Sequence, residues 1–257
     1  MAVNEKKMFA GKVAFVTGAG SGIGRATALM FAREGASVAI AYVTKEHAEE
    51  TARLVKETGA KAILVKCDVQ KEDEIKSAIE QTVKAFGRLD YGVNNAGAEG
   101  ARHKVADYPV ALWDKVIDID LKGVFLCMKY QIPQMLKQGG GSIVNVSSGA
   151  GITGFPDMGA YVAAKHGVCG LTKTAALDYA ANNIRFNAVC AGITSTPMID
   201  RHASRTAGGM QELIADEPIG RLGRPEEIAA AIVWLCSDAS SFVTGAAIPV
   251  DGGQTAD

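Results

Sequence analysis

Cysteine is scarce in this 257-residue chain, and the few present do not cluster. Cys67, Cys127, Cys169, Cys190 and Cys236 are odd in number and far apart, with no C-x-x-C among them. The four histidines form no H-E-x-x-H or H-x-x-x-H pair. A disulfide scaffold and a zinc site are therefore not expected, and no metal is assigned. Buried or half-buried free thiols in a reducing, cytoplasmic setting are the expectation. An excess of one charge is also lacking: 27 Lys and Arg stand against 28 Asp and Glu, for a net charge of −1. Without a basic face there is little to neutralise phosphates, which argues against a nucleic-acid partner. Long hydrophobic runs are missing as well. Stretches such as Ile228–Cys236 fall well short of a membrane span, and the opening M-A-V-N-E-K-K-M-F-A is too polar for a signal peptide. No internal repeat, low-complexity tract or linker interrupts the chain.

What is present is an alternation. Hydrophobic residues make up 48% of the sequence, enough for a large core, and the length suits one domain spanning residues 1–257. Short β-branched runs read as strands over Lys12–Thr17, Ser37–Tyr42, Lys61–Lys66, Leu89–Asn94, Ser142–Ser147, Ile184–Cys190 and Ala246–Val250. Helical patterns lie between them near Gly22–Glu34, Lys45–Thr58, Lys71–Phe86, Val110–Lys137, Tyr161–Ala181 and Pro225–Ser237. A helix in every strand-to-strand passage is what parallel strands require. Gly35, Gly59 and Gly87 fall where helices should stop, and Pro225 suits a first helical turn. The expected fold class is α/β: a single doubly wound, Rossmann-type domain whose seven-stranded parallel sheet is flanked by helices. Its ligand crevice lies at the carboxyl ends of the strands. One stretch, Thr194–Gly220, breaks the rhythm. A functional lid is favoured there over a surface excursion with two short helices.

Three turns at successive strand ends have the shape of ligand contacts. Thr17-Gly18-Ala19-Gly20-Ser21-Gly22-Ile23-Gly24 follows the first strand and opens the first helix. Glycine allows a phosphate to approach the backbone there, and the helix N-terminus offers free N–H groups and a positive dipole end. The spacing is not quite G-x-G-x-x-G. Cys67-Asp68-Val69 ends the third strand, where the Asp68 carboxylate can accept from an adenine amine; its plainer reading is a helix N-cap. Asn94-Asn95-Ala96-Gly97 ends the fourth, close to where a ribose would pass; its plainer reading is a turn. Together they point to a dinucleotide. The end of the second strand, Ala41-Tyr42-Val43-Thr44-Lys45, carries no carboxylate to repel a 2′-phosphate, and Thr44 and Lys45 can receive one. NADP(H) is preferred on this ground, with NAD(H) possible.

Tyr161-Val162-Ala163-Ala164-Lys165 places a phenol and an ammonium four residues apart on one helix face. A free phenol, with a pKa near ~10, exchanges protons poorly at neutral pH, and a neighbouring cation favours its ionised form. Alone, the pair reads as an exposed i,i+4 contact. Taken with T-G-A-G-S-G-I-G, C-D-V, N-N-A-G, N-V-S-S, N-A-V-C-A-G and P-V-D-G-G, it resembles the short-chain dehydrogenase/reductase family along essentially the whole chain. The resemblance implies an NAD(P)-dependent oxidoreductase that interconverts a small-molecule ketone and a secondary alcohol. Tyr161 is then the general acid/base, Lys165 bonds the nicotinamide ribose and lowers the tyrosine's pKa, and Ser148 holds the substrate oxygen. Hydride moves at C4 of the nicotinamide, no metal takes part, and a homotetramer is the usual assembly. Ser147 is read as structural.

Two positions depart from the family pattern. Its catalytic asparagine falls at Asp120, which keeps the shape and acceptor but loses the amide donor. The proline of its P-G pair is Ala191, before Gly192. That loosens a turn near the nicotinamide amide, whose partners are the backbone near Thr194 and the hydroxyl of Thr196. These departures are all that favours a rival reading, a nucleotide-binding sensor or scaffold that has lost turnover. Pocket walls are expected from Ala98–Val105, Gly149–Met158 and the Thr194–Gly220 stretch. His103 and His202 are read as solvated loop histidines ahead of substrate contacts.

Overall fold

The computed structural model describes residues 7–205, 208–215 and 217–256. Thr206, Ala207 and Asp216 of the expected lid lie outside the described residues. Seven strands form: β1 (Val13–Thr17), β2 (Ser37–Tyr42), β3 (Ala62–Lys66), β4 (Tyr91–Asn94), β5 (Gly141–Ser148), β6 (Ile184–Ala191) and β7 (Ala247–Val250). All pair in parallel, in the order β3-β2-β1-β4-β5-β6-β7. The direction of winding reverses between β1 and β4, so their carboxyl ends flank the crevice where such sheets hold ligands. β4 starts at Tyr91, later than its pattern suggests. The buried Asp90 carboxylate takes the Val13 N–H at 2.9 Å and the Arg88 guanidinium at 2.6 and 2.7 Å.

Strand side chains alternate between two cores, as the two-residue period demands. Ala14, Val16, Val38 and Ile40 face one side, against α1 (Gly22–Arg33), α2 (Lys45–Glu57) and α9 (Pro225–Cys236). Phe15, Ala39 and Ala41 face the other, against α3 (Glu72–Phe86), α5 (Gly123–Gln138) and α6 (Gly159–Tyr179). With both faces covered, the strands read as near-continuous apolar runs.

The long helix expected over Val110–Lys137 is not uniform. α4 (Val110–Ile117) passes through one π-helical turn, Asp118–Lys122, into α5. Such a turn inserts an extra residue into the spiral and re-aims the side chains within it. Here it turns Asp120 inward, fully buried. The stretch after β6 contains two short helices, α7 (Pro197–Ala203) and α8 (Gly209–Ala215). These are the two short helices of the second alternative, and both supply residues to the cavity described below.

Candidate active site

The glycine turn between β1 and α1 is shaped by what its residues lack. Gly18 has φ +63°, and a Cβ there would sit 3.1 Å from the Ala96 Cα. Thr17 and Asn95 tie this turn to the end of β4. The Thr17 hydroxyl accepts from the Asn95 and Ala96 N–H groups at 2.9 and 3.0 Å, and the Asn95 amide donates to the Thr17 carbonyl at 2.9 Å. Arg25 holds the far side by donating to the Gly20 carbonyl at 2.5 Å and to the Thr51 hydroxyl at 3.0 Å. Ser21, at the N-cap of α1, makes no side-chain capping bond. The first N–H groups of the helix are thus left to serve an anion.

A cavity of about 570 Å³ runs from this turn along the strand ends. Gly18, Ser21, Gly22, Ile23, Tyr42, Thr44, Asp68, Val69, Ala96, Gly97, Gly192, Thr194 and Thr196 all line it, as do Asp120, Ser148, Tyr161 and Lys165. Two of the sequence-derived cofactor residues do not. Gly24 lies inside α1 against the turn, where a Cβ would overlap the Gly18 carbonyl oxygen, so it is a packing glycine. Asn94 is buried in the sheet. Its amide donates to Asn145 at 2.8 Å and accepts from Gln131 at 2.9 Å, and Asn145 continues to Thr172 at 2.9 Å. That network occupies Asn94 completely and leaves Asn95, the next residue, at the crevice. Lys45 is not on the cavity wall but lies beside Glu49 at 3.4 Å, and His47 lines the cavity. Asp68 is not the N-cap of α3, which is Lys71, although its carboxylate does accept from the Gln70 N–H at 3.1 Å.

At the other end the side chains are ionisable and enclosed. Lys165 donates to the Val146 carbonyl at 3.2 Å and pairs with Asp120 at 3.2 Å, both side chains buried. Its ammonium lies 5.4 Å from the centroid of the Tyr161 ring. Both Asp120 oxygens accept from the Ala98 N–H at 3.2 Å. These partners are all donors, the set that suits a carboxylate. Burial pushes the Asp120 carboxyl up, against the pull of Lys165 and of the Ala98 N–H. Burial alone would pull the Lys165 ammonium down, but Asp120 and then Tyr161 outweigh it and hold the pKa above the usual lysine value. Burial also pushes the Tyr161 phenol up; Lys165 opposes this, Asp120 adds to it, and a hydrogen bond from Ser148 opposes it.

Ser147 turns the other way, donating to the Lys165 carbonyl at 3.0 Å and so fixing α6 against β5. Ala191 does not loosen its turn. It continues the ladder opposite Val250, and the Gly192 N–H donates to the Val250 carbonyl at 3.1 Å. Thr194 donates to the Gly192 carbonyl at 3.0 Å, and Thr196 caps α7 by accepting from the Ile199 N–H at 3.4 Å. The Thr196 methyl lies 3.0 Å from where a Gly22 Cβ would be, so α7 begins against the glycine turn.

The substrate end is walled by Phe155, Met158, Met198 and Leu213, with Glu99, Arg102 and His202 among them. His202 is buried and not solvated, with its Nδ1 on the Glu99 carboxylate and its Nε2 3.4 Å from Arg102. His103 packs edge-on to Tyr108 and is not a wall residue. The pairing of Glu99 with His202, 103 positions away, left no local signal in the sequence. The Thr17–Asn95 clamp left only a polar residue at a strand end.

A glycine turn at the switch point, joined through one cavity to a Ser–Tyr–Lys cluster, defines a nucleotide-dependent oxidoreductase. The family described as Enoyl-(Acyl carrier protein) reductase matches residues 18–255. The chain is 46% identical over 247 residues to 2,5-dichloro-2,5-cyclohexadiene-1,4-diol dehydrogenase of Sphingobium indicum, covering 96% of this chain and 98% of that protein. It is likewise 46% identical over 248 residues to cis-4-hydroxycyclohexanecarboxylate dehydrogenase of Sinomonas cyclohexanicum, covering 96% and 98%. Among solved structures, carveol dehydrogenase from Mycobacterium avium in complex with NAD superimposes with a TM-score of 0.94 at 33% identity, over 98% of this chain and all of that one. The chain belongs to the short-chain dehydrogenase/reductase family and is an NAD(P)-dependent oxidoreductase of the CH–OH/C=O class.

Proposed function

We propose that this enzyme interconverts cyclic secondary alcohols and their ketones, with Tyr161 as the proton-transferring residue. The observation that carries this is the convergence of Ser148, Tyr161 and Lys165 on the cavity that begins at the glycine turn. The apolar walls suit a ring, and all three relatives are named for ring alcohols. The residues also fit a dinucleotide: an uncapped helix N-terminus and a turn too close for side chains lie at one end, and the Lys165 ammonium at the other. Such a cofactor, when bound, supplies or accepts the hydride. The Ser148 hydroxyl holds the substrate oxygen. In reduction the Tyr161 Oη–H gives its proton to that oxygen as the alcohol forms; in oxidation it takes the proton back. Lys165 opposes the rise that burial imposes on the phenol and bonds the ribose.

The absence of a carboxylate at Tyr42, Val43 and Thr44 supports acceptance of NADP(H). With Lys45 drawn to Glu49, preference would rest on Thr44 and His47, and NAD(H) stays usable. The five buried free cysteines support a reducing, cytoplasmic location, and no helix among the described residues is long and apolar enough to cross a membrane. A homotetramer is supported by exposed apolar side chains on the expected helices: Trp113 on α4, Phe125 and Leu136 on α5, and Leu177 on α6. A monomer mass by light scattering at micromolar concentration would overturn the assembly. The function is tested by following nicotinamide absorbance with cyclohexanol, cyclohexanone and open-chain analogues. Turnover of ring substrates is expected; inertness toward every alcohol and ketone would reject the reading.

A further inference from the structure

A second cavity, of about 400 Å³, lies behind the substrate end of the first. The two share Gly97, Ala98, Glu99, Met198 and Arg201 as lining, so they meet along one strip of wall. The loop forming that strip is held in place: Ala98 is bonded to Asp120 at 3.2 Å, and the Tyr108 hydroxyl donates to the Ala101 carbonyl at 2.9 Å. Around the second cavity stand three cations, Lys115 from α4, Arg201 from α7 and Arg205 just beyond it. The ion pairs among the described residues involve none of these three side chains. Among the described lining residues Glu99 is the only carboxylate, and it is already engaged by His202. Three like charges around one cavity repel each other and attract an anion.

We propose that this cavity is an anion subsite, and that the preferred substrate is a ketone or secondary alcohol carrying an anionic group several carbons from the reacting carbon. The inference rests on the oxidoreductase reading above and deepens it. The relatives do not decide the matter, since one of the three is named for a carboxylate-bearing alcohol and two are not. The reacting carbon sits between Ser148 and Tyr161, the ring lies among Phe155, Met158 and Met198, and the anion passes Glu99 to reach Arg201, Arg205 and Lys115. A guanidinium offers a carboxylate or a phosphate two parallel donors, which makes the two arginines the principal anchors.

The test compares 4-oxocyclohexanecarboxylate with its methyl ester, by calorimetric affinity for the enzyme in the presence of reduced cofactor and by kcat/KM. Affinity and kcat/KM at least about tenfold better for the acid are expected, the scale of one charge-assisted contact. Preference should collapse in Arg201→Gln/Arg205→Gln and persist, weakened by loss of the paired donors, in the charge-keeping Arg201→Lys/Arg205→Lys. Equal binding of acid and ester, or a preference indifferent to both double variants, overturns the subsite. Binding of the acid without turnover upholds the subsite and counts against the ring-ketone reading; turnover without preference does the reverse.

Discussion

The two ends of the main cavity are built on opposite principles. At the cofactor end the work falls to backbone N–H groups, glycines and a neutral clamp, with Arg25 bonded to the far side of the turn. At the chemical end a lysine, a carboxylate and a phenol are enclosed within a few ångströms of one another. The first design tolerates changes of charge nearby and fails when volume is added. The second tolerates little change of charge, because every ionisable group there sets the proton affinity of the others. The contrast can be broken or sharpened by substitution at each end.

The largest effect is expected at the chemical end. Tyr161→Phe keeps the ring and removes the proton, so turnover should fall by at least ~10²-fold with cofactor affinity little changed. Near-normal turnover would end the proposed mechanism. Gly24→Ala is the corresponding test of volume. The new methyl overlaps the Gly18 carbonyl and the Asn95 amide, neither of which is a flexible side-chain tip free to move away. A loss of about 1–3 kcal/mol is expected, read as a lower melting temperature, together with weaker cofactor binding. An unchanged melting temperature and unchanged affinity would show that the turn yields more readily than its clamp suggests.

How far each end could be read from sequence follows from the same contrast. The backbone-built end was legible because its signals are local: a glycine run after a strand, a small-residue turn after another. Even so, Asn94 and Asn95 looked alike as neighbours, and only strand alternation decides that one faces the Gln131–Asn145 network and the other the crevice. Tyr161 and Lys165 share a helix face, but alone they read as an exposed i,i+4 contact; the ordered family motifs around them are what single them out. Asp120 was placed at the site by the same motifs, but no local pattern shows how it gets there. Asp120 reaches Lys165 from 45 positions away, aimed by a π turn that no apolar periodicity announces. The strands needed little correction, since parallel strands covered on both faces write themselves as apolar runs.

A smaller effect tests the boundary between the two designs, at the end of β2. Tyr42 lines the cavity with no carboxylate nearby in sequence before Glu46. Tyr42→Asp should shift the NAD-to-NADP ratio of kcat/KM toward NAD by roughly five- to tenfold, the scale of one like-charge repulsion in a solvated site. An unchanged ratio would mean that residue 42 does not lie beside the adenosine ribose.

The smallest effect, and the one that tests the chemical end most finely, is Asp120→Asn. In the native chain the Asp120 charge acts twice. It adds to the burial that raises the Tyr161 phenol, and it holds the Lys165 ammonium against burial that would discharge it. Replacing carboxylate by amide removes both influences, and they move the phenol in opposite senses. If Lys165 keeps its proton, the phenol loses a nearby negative charge and its pKa falls. If Lys165 is discharged, the phenol loses its nearest cation and its pKa rises. The Val146 carbonyl, 3.2 Å from the ammonium, still accepts from it in the variant, and the amide oxygen can replace one carboxylate contact. Retention of the Lys165 charge is therefore expected. The acid limb of kcat/KM for alcohol oxidation, along which activity rises as the phenol ionises, should move to lower pH, and the oxidation rate near neutrality should rise. Reduction, which needs the protonated phenol, should gain nothing and begin to fail at a lower pH. The equilibrium between alcohol and ketone is untouched, since a catalyst cannot move it. A shift to higher pH would show that the ion pair exists to keep Lys165 charged. Superimposable profiles would mean that Asp120 is already neutral and differs from asparagine in name only.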